Sequence, residues 1–166
     1  MNTYRVRELR STDAQALLAF ETDNRQWFES HIDARDPAFY SLQGVTEHIQ
    51  GYLSDFADGR WHPFVVEETG GKIVGRANLK SIDPVQRSAQ IGYRIAQDAC
   101  GQGLATLAVR HLIQEARRRW QLSQLVAYVY EANLGSKKVL MRCGFLLEHP
   151  ATGAQAGGES RFVLAI

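Results

Sequence analysis

The segment Ala89–Tyr130 constrains this chain more than any other. Ala89–Ala96 reads as a strand. From about Gly103 to Trp120, the residues Ala105, Ala108, Val109, Leu112, Ile113, Ala116 and Trp120 recur at three- and four-residue steps, the spacing of a helix with one apolar face. Leu125–Tyr130 then returns to β-branched and aromatic residues, so it reads as a second strand. Strands joined across a helix of that length lie parallel, and the crossover is right-handed. The rest of the chain must build around that unit.

What flanks it is antiparallel in character. Thr3–Arg10 alternates as a strand, and Ser11, Thr12 or Asp13 can cap a helix that carries Ala14, Leu17, Leu18 and Phe20 on one face. Asn24–Gly44 is less regular but holds Trp27, Phe28, Phe39 and Tyr40. Val45–Phe56 has helical spacing. Phe64–Glu68 and Lys72–Leu79 flank Thr69-Gly-Gly71 as a hairpin, and Asp83-Pro84 marks another turn. Asn133–Cys143 reads as a short helix stopped by Gly144. Phe145–Leu147 and Arg161–Ile166 form a last strand pair around the Pro150–Gly158 loop. The order predicts an α+β (mixed α/β) fold with about six to seven strands in a mixed, mostly antiparallel sheet and one parallel strand–helix–strand crossover. No repeat or linker divides the 166 residues, so one domain over 1–166 is expected.

Lys plus Arg number 19 and Asp plus Glu 18, leaving a net charge of +1. A balance so close offers no global field for nucleic acid or an acidic membrane, and no direct nucleic-acid binding is expected. No apolar run approaches the ~18 residues a spanning helix needs. The first ten residues lack a signal-peptide core, and Cys100 and Cys143 make neither a disulfide framework nor a metal cluster. The expectation is a cytoplasmic protein without a metal, monomeric or homodimeric.

The chemically informative segment is Cys100-Gly-Gln-Gly-Leu-Ala-Thr106, between a strand end and a helix start. The first N–H groups of a helix have no partner within it, and the macrodipole places partial positive charge there. Gly101 and Gly103 let a phosphate approach the backbone, Ala105 keeps the path narrow, and the Thr106 hydroxyl adds a donor. A P-loop would need Gly-Lys-Ser/Thr, which is missing. A dinucleotide fingerprint would want a third small residue where Thr106 stands and an acidic strand tip, which Glu131 supplies late in the chain. Coenzyme A diphosphate is the third reading, and a tight turn with no ligand the fourth.

The stretch Val126-Ala-Tyr-Val-Tyr-Glu-Ala-Asn133-Leu-Gly-Ser136, continuing to Gly144-Phe145, resembles the GNAT acyltransferase superfamily, in particular its ribosomal-protein N-acetyltransferase-like branch. Cys100-Gly-Gln-Gly103-Leu-Ala105 aligns with the family's Gln/Arg-x-x-Gly-x-Gly/Ala, and Ala89–Ile95 with its fourth strand. Two positions depart: Cys100 replaces the usual Gln or Arg, and Gln90 stands where many relatives carry Glu. The resemblance implies a GNAT-like fold and acetyl-CoA-dependent transfer to a primary amine, either a protein N-terminal α-amine or a small-molecule amine. It implies contacts from Tyr93, Ile95, Gly101, Gln102, Gly103, Ala105, Thr106, Asn133 and Ser136 to the cofactor, with Ser136 also near the sulfur as the catalytic candidate. An irregularity in the strand at Tyr93–Ile95 would free N–H groups for the acyl oxygen.

A thioester is already activated, so direct attack in a ternary complex suffices. Base candidates are Glu29, His31, Glu67 or a water. Asn133 also reads simply as a helix cap, and Ser136 as a first-turn residue. Arg117-Arg-Arg119 complements a helix dipole, while Lys137, Lys138 and Arg142 are candidates for a 3′-phosphate or a solvated face. Cys100, at a helix N-terminus, is expected to favour its thiolate. The alternative function is a catalytically weak acyl-CoA sensor or interaction module.

Overall fold

The computed structural model describes residues 3–149 and 158–166. β1 (Tyr4–Glu8) leads to α1 (Ala14–Asp23), a short α2 (Arg25–Glu29) and α3 (Leu42–Ala57). There follow β2 (His62–Glu68), β3 (Ile73–Asp83), β4 (Ser88–Ile95), α4 (Leu104–Arg118), β5 (Gln124–Tyr130), α5 (Leu134–Arg142), β6 (Leu146–His149) and β7 (Glu159–Ala165). Among the described residues the strands form one seven-stranded sheet in the order β1-β2-β3-β4-β5-β7-β6. Only β4 and β5 run parallel, across the α4 crossover.

Side-chain alternation along β3 sorts the helices onto two faces. Ala77 pairs with Phe64, and Phe64 meets His111 of α4 with ring centroids 4.6 Å apart. α4 buries Leu104, Ala108, Val109, Leu112, Ile113 and Ala116. Arg76 points to the opposite face, where its Nη2 lies 2.8 Å from His48 Nε2 on α3. There α1 and α3 bury Leu17, Phe20, Val45 and Ile49.

The feature that shapes the site is a short pairing. β4 and β5 are bonded only at Ser88–Gln90 against Gln124–Val126. Beyond that point Ile91–Ile95 stays with β3 and Ala127–Tyr130 stays with β7, so the sheet opens as a V. The cleft-side backbone groups of β4 are left without a strand partner, although β4 keeps a regular register against β3 from Gln90 to Ile95. The irregularity expected at Tyr93–Ile95 is therefore a splay and not a bulge. The register shift lies between Lys80 and Asp83, where Ser81 takes φ 49.

Asn24–Gly44 is more ordered than its pattern predicted: it holds α2 and a 3-10 turn at Pro37–Phe39. These short pieces rest on tertiary contacts, such as the Phe20–Phe28 ring pair at 5.3 Å. Asp13 does not cap α1. Its carboxylate accepts from the Arg10 backbone N–H at 2.7 Å and from two Arg7 nitrogens at 2.9 and 2.8 Å. The Pro150–Gly158 loop lies outside the described residues except for its last position.

Candidate functional site

α4 begins where β4 enters the cleft, with Gly103 as N-cap residue at φ 76 and no side chain capping the helix. Gly101 is also left-handed, at φ 81. The first bond of this turn runs from Leu107 N–H to Gly103 O at 3.0 Å. Among the described residues, the N–H groups of Gly101 to Thr106 find no acceptor. A Cβ added at Gly101 or Gly103 would meet no atom within 4 Å, so both glycines face open space. Converging N–H groups at a dipole's positive end, with no side chain in front, suit a diphosphate.

This mouth opens on a cavity of about 750 Å³. Tyr93, Ile95, Gly101, Gly103, Ala105, Thr106, Asn133 and Ser136 all line it. Gln102 does not: its Oε1 accepts from the Tyr4 hydroxyl at 2.8 Å, so its side chain leans toward β1 and only its backbone N–H belongs to the turn. Asn133 caps α5, its Oδ1 accepting from Ser136 N–H at 3.2 Å. The Tyr93 hydroxyl donates to the Ser136 carbonyl at 3.4 Å, which ties β4 to the head of α5 across the splay. Burial pushes the Tyr93 hydroxyl up to about 12, so it keeps its proton at neutral pH.

The base candidates separate clearly. Glu67 is bound by Arg5 and Arg7, at 2.5 and 2.8 Å, on the β1–β2 edge. Glu29 pairs with Arg25 at 3.1 Å. His31 alone of the three lines the cavity, beside Trp27 and Phe28. Its Nδ1 lies 2.9 Å from the Trp27 carbonyl, and a carbonyl only accepts. Nδ1 also lies 2.8 Å from the Ser30 hydroxyl, which itself donates to Trp27 O at 2.7 Å, and in the Nδ1–H tautomer the lone pair is on Nε2.

Phe39 and Tyr40 pack against each other away from the cavity, their ring centroids 5.2 Å apart. Cys100 overturns its expectation. It precedes the helix mouth, its Sγ donates to the Ala96 carbonyl at 3.3 Å, and burial together with Asp98 raises its pKa. Of the cations near α5, Arg142 lines the cavity while Lys137 pairs with Glu131 at 2.9 Å. Arg117 and Arg118 stand in the last turn of α4, where cations complement the dipole, and Arg119 lies over the Phe56 and Trp120 rings at 5.0 and 5.7 Å.

A second chamber of about 360 Å³ adjoins the first on the α1–α3 side. Arg76, Lys80 and Arg94 line it, and none was singled out from the sequence. A signal was present: Arg76, Asn78 and Lys80 occupy every second place of the otherwise apolar stretch Ile73–Lys80, which puts three polar side chains on one face.

The family model for the acetyltransferase (GNAT) domain matches residues 4–146. The probable N-acetyltransferase YjcK of Bacillus subtilis is 30% identical over 145 residues, 86% of this chain and 80% of that protein. The ribosomal-protein-serine acetyltransferase of Escherichia coli is 25% identical over 75% of this chain and 69% of its own length. The solved ribosomal L7/L12 α-N-protein acetyltransferase RimL, in complex with coenzyme A, superposes with a TM-score of 0.87. It is 20% identical, and the match covers 99% of this chain and 94% of that one.

Proposed function

The chain belongs to the GNAT acetyltransferase family, and from that premise we propose direct transfer of an acetyl group from acetyl-CoA to a primary amine held in the β4–β5 cleft. A single acetyltransferase domain over residues 1–166 is part of this reading. The observation that carries it is the run of unpaired N–H groups from Gly101 to Thr106 at the mouth of α4, open to the cavity that reaches Ser136. No helix among the described residues is long and apolar enough to cross a membrane.

Acetyl-CoA supplies the activated acyl carbon. The N–H groups of the α4 turn hold its diphosphate, with the Thr106 hydroxyl adding a donor. The cleft edge of β4 around Tyr93–Ile95 receives the pantetheine and offers N–H to the acyl oxygen. Asn133 and Ser136 border the thiol end, where the Ser136 hydroxyl positions the sulfur and the proton-bearing Tyr93 hydroxyl is at hand. An ammonium acceptor loses one proton before attack and a second as the C–N bond forms and the C–S bond breaks. One of the two ends on the departing sulfur. His31 Nε2 takes the first, a role supported by the place of His31 on the cavity wall.

A protein N-terminal α-amine is one acceptor class, supported by the likeness to an α-N-protein acetyltransferase; a small-molecule amine is the other. The test is release of free CoA thiol from acetyl-CoA across a panel of amines. Amine-dependent release supports the reading. Tight CoA binding with no release from any amine favours a CoA-binding sensor instead.

A further inference from the structure

β3 and β4 place two arginines directly opposite one another, Arg76 against Arg94. Like charges at facing positions of an antiparallel pair repel. One carboxylate answers them: Glu21 of α1, only 1% exposed, lies 2.9 Å from Arg94 and 3.8 Å from Arg76. Arg35 also reaches Glu21, at 3.5 Å. Three guanidinium groups thus share a single buried carboxylate.

Among the described residues no second carboxylate pairs with these arginines. Arg76 also lies 5.4 Å from the Tyr52 ring centroid and beside His48, which burial and then Arg76 itself drive down to about 3, leaving it neutral. Arg76 is 3% exposed, and its Nη1, 3.8 Å from Glu21 Oε2, has no hydrogen-bond partner among the described residues. Lys80 comes from the same face of β3. Its aliphatic chain crosses Gly92, where an added Cβ would lie 2.4 Å from Lys80 Cε. Gly92 therefore makes the room that lets Lys80 reach the chamber. Burial lowers the Lys80 pKa, with Arg94 and Arg35 acting in the same direction and Glu159 against it. Arg35, Arg76, Lys80 and Arg94 all line the chamber, and among the described residues no acidic side chain does. Leaving an arginine nitrogen buried and unsatisfied is costly, and it is well answered by a bound anion.

The chamber also adjoins the cavity assigned to acetyl-CoA. Ile32, Tyr93, Arg94, Asn133 and Ser136 line both. It therefore lies on the acceptor side of the thioester, a placement that rests on the acetyltransferase reading above.

We propose that the acceptor amine carries an oxyanion, a carboxylate or a phosphate, and that this group docks in the chamber against Arg76, Lys80 and Arg94. A neutral alkylamine lacks the docking group, and a polyamine is repelled. The volume of about 360 Å³ suits such a group with a few neighbouring atoms.

The test reads binding first. With CoA saturating, so that the α4 mouth is filled, inorganic phosphate or glutarate is titrated against chloride at constant ionic strength. Either anion is expected to raise the melting temperature of the wild type by on the order of 3 °C. Lys80→Gln and Arg76→Gln are expected to lose that rise. Lys80→Gln removes no hydrogen bond or ion pair to a carboxylate among the described residues, so it keeps the test open if Arg76→Gln does not fold. The larger of the two shifts tells whether carboxylate or phosphate is preferred.

Turnover comes second: β-alanine or phosphoethanolamine is expected to exceed propylamine and spermidine in kcat/KM by about tenfold or more. A wild type indifferent to both anions, a shift that survives in Lys80→Gln, or propylamine or spermidine as the better acceptor would overturn the proposal. Those results leave CoA binding and acetyl transfer standing. Absence of CoA binding removes the acetyltransferase reading, and the anion titration, run without CoA and read as the difference between the wild type and Lys80→Gln, still decides the chamber.

Discussion

Ser136 and Tyr93 meet at the head of α5, and their separate substitution distinguishes positioning from proton supply. Ser136→Ala is expected to lower kcat about tenfold while changing CoA affinity by less than about twofold, because the role proposed for the hydroxyl is at the sulfur and not at the diphosphate. Unchanged turnover would reduce Ser136 to a helix residue. Tyr93→Phe removes the hydroxyl that donates to Ser136 O, and its expected loss in kcat is about a hundredfold if that hydroxyl supplies a proton. His48 carries a pH prediction. Its pKa falls from 6.5 to about 3 on folding, chiefly by burial and then by Arg76, Arg35 and Arg94. Between those values the unfolded chain binds the extra proton, so stability is fully present above about pH 6.5 and is lost as pH falls toward 3. Thermal melts are expected to show a loss of about 1–2 kcal/mol between pH 7 and 5 from this residue. His48→Gln should flatten that slope, and parallel curves would contradict the assignment.

α4 was legible as an element because its apolar spacing spans fifteen residues and its mouth is marked by Gly101 and Gly103. The burial of Leu104, Ala108, Val109, Leu112, Ile113 and Ala116 follows that spacing. α2 was not legible: five residues carry too little periodicity, and Phe28 and Trp27 order it through tertiary contacts. The polar cluster was hidden for a different reason. Arg76 on β3, Arg94 on β4 and Glu21 on α1 are far apart in sequence, and only the register of β3 against β4 brings the arginines face to face. At α5 the cap reading of Asn133 is the one the geometry displays, and it coexists with a place on the cavity wall. Asn133→Ala is expected to cost about 1 kcal/mol, measured by denaturant unfolding. A fall in CoA affinity beyond what that loss of stability explains would show that the side chain also touches the cofactor.

The whole molecule works as a sheet split along one seam. Pairing of β4 with β5 stops at Gln90 and Val126, and the opening faces the mouth of α4 on one side and the arginine-lined chamber on the other. In the proposed function the diphosphate, the thioester and the acceptor occupy successive stretches of that one cleft. Its anchor is the turn at Gly103, whose left-handed backbone and open front leave the N–H groups available. The most direct test is calorimetric titration of acetyl-CoA into the wild type and into Gly103→Val, with folding of each checked by circular dichroism. One-site binding to the wild type, weakened about tenfold or more in the folded variant, equivalent to about 1.4 kcal/mol, is the expected result. No heat and no change in melting temperature with the wild type, or equal affinity in the two proteins, would contradict the assignment of the α4 mouth to the diphosphate.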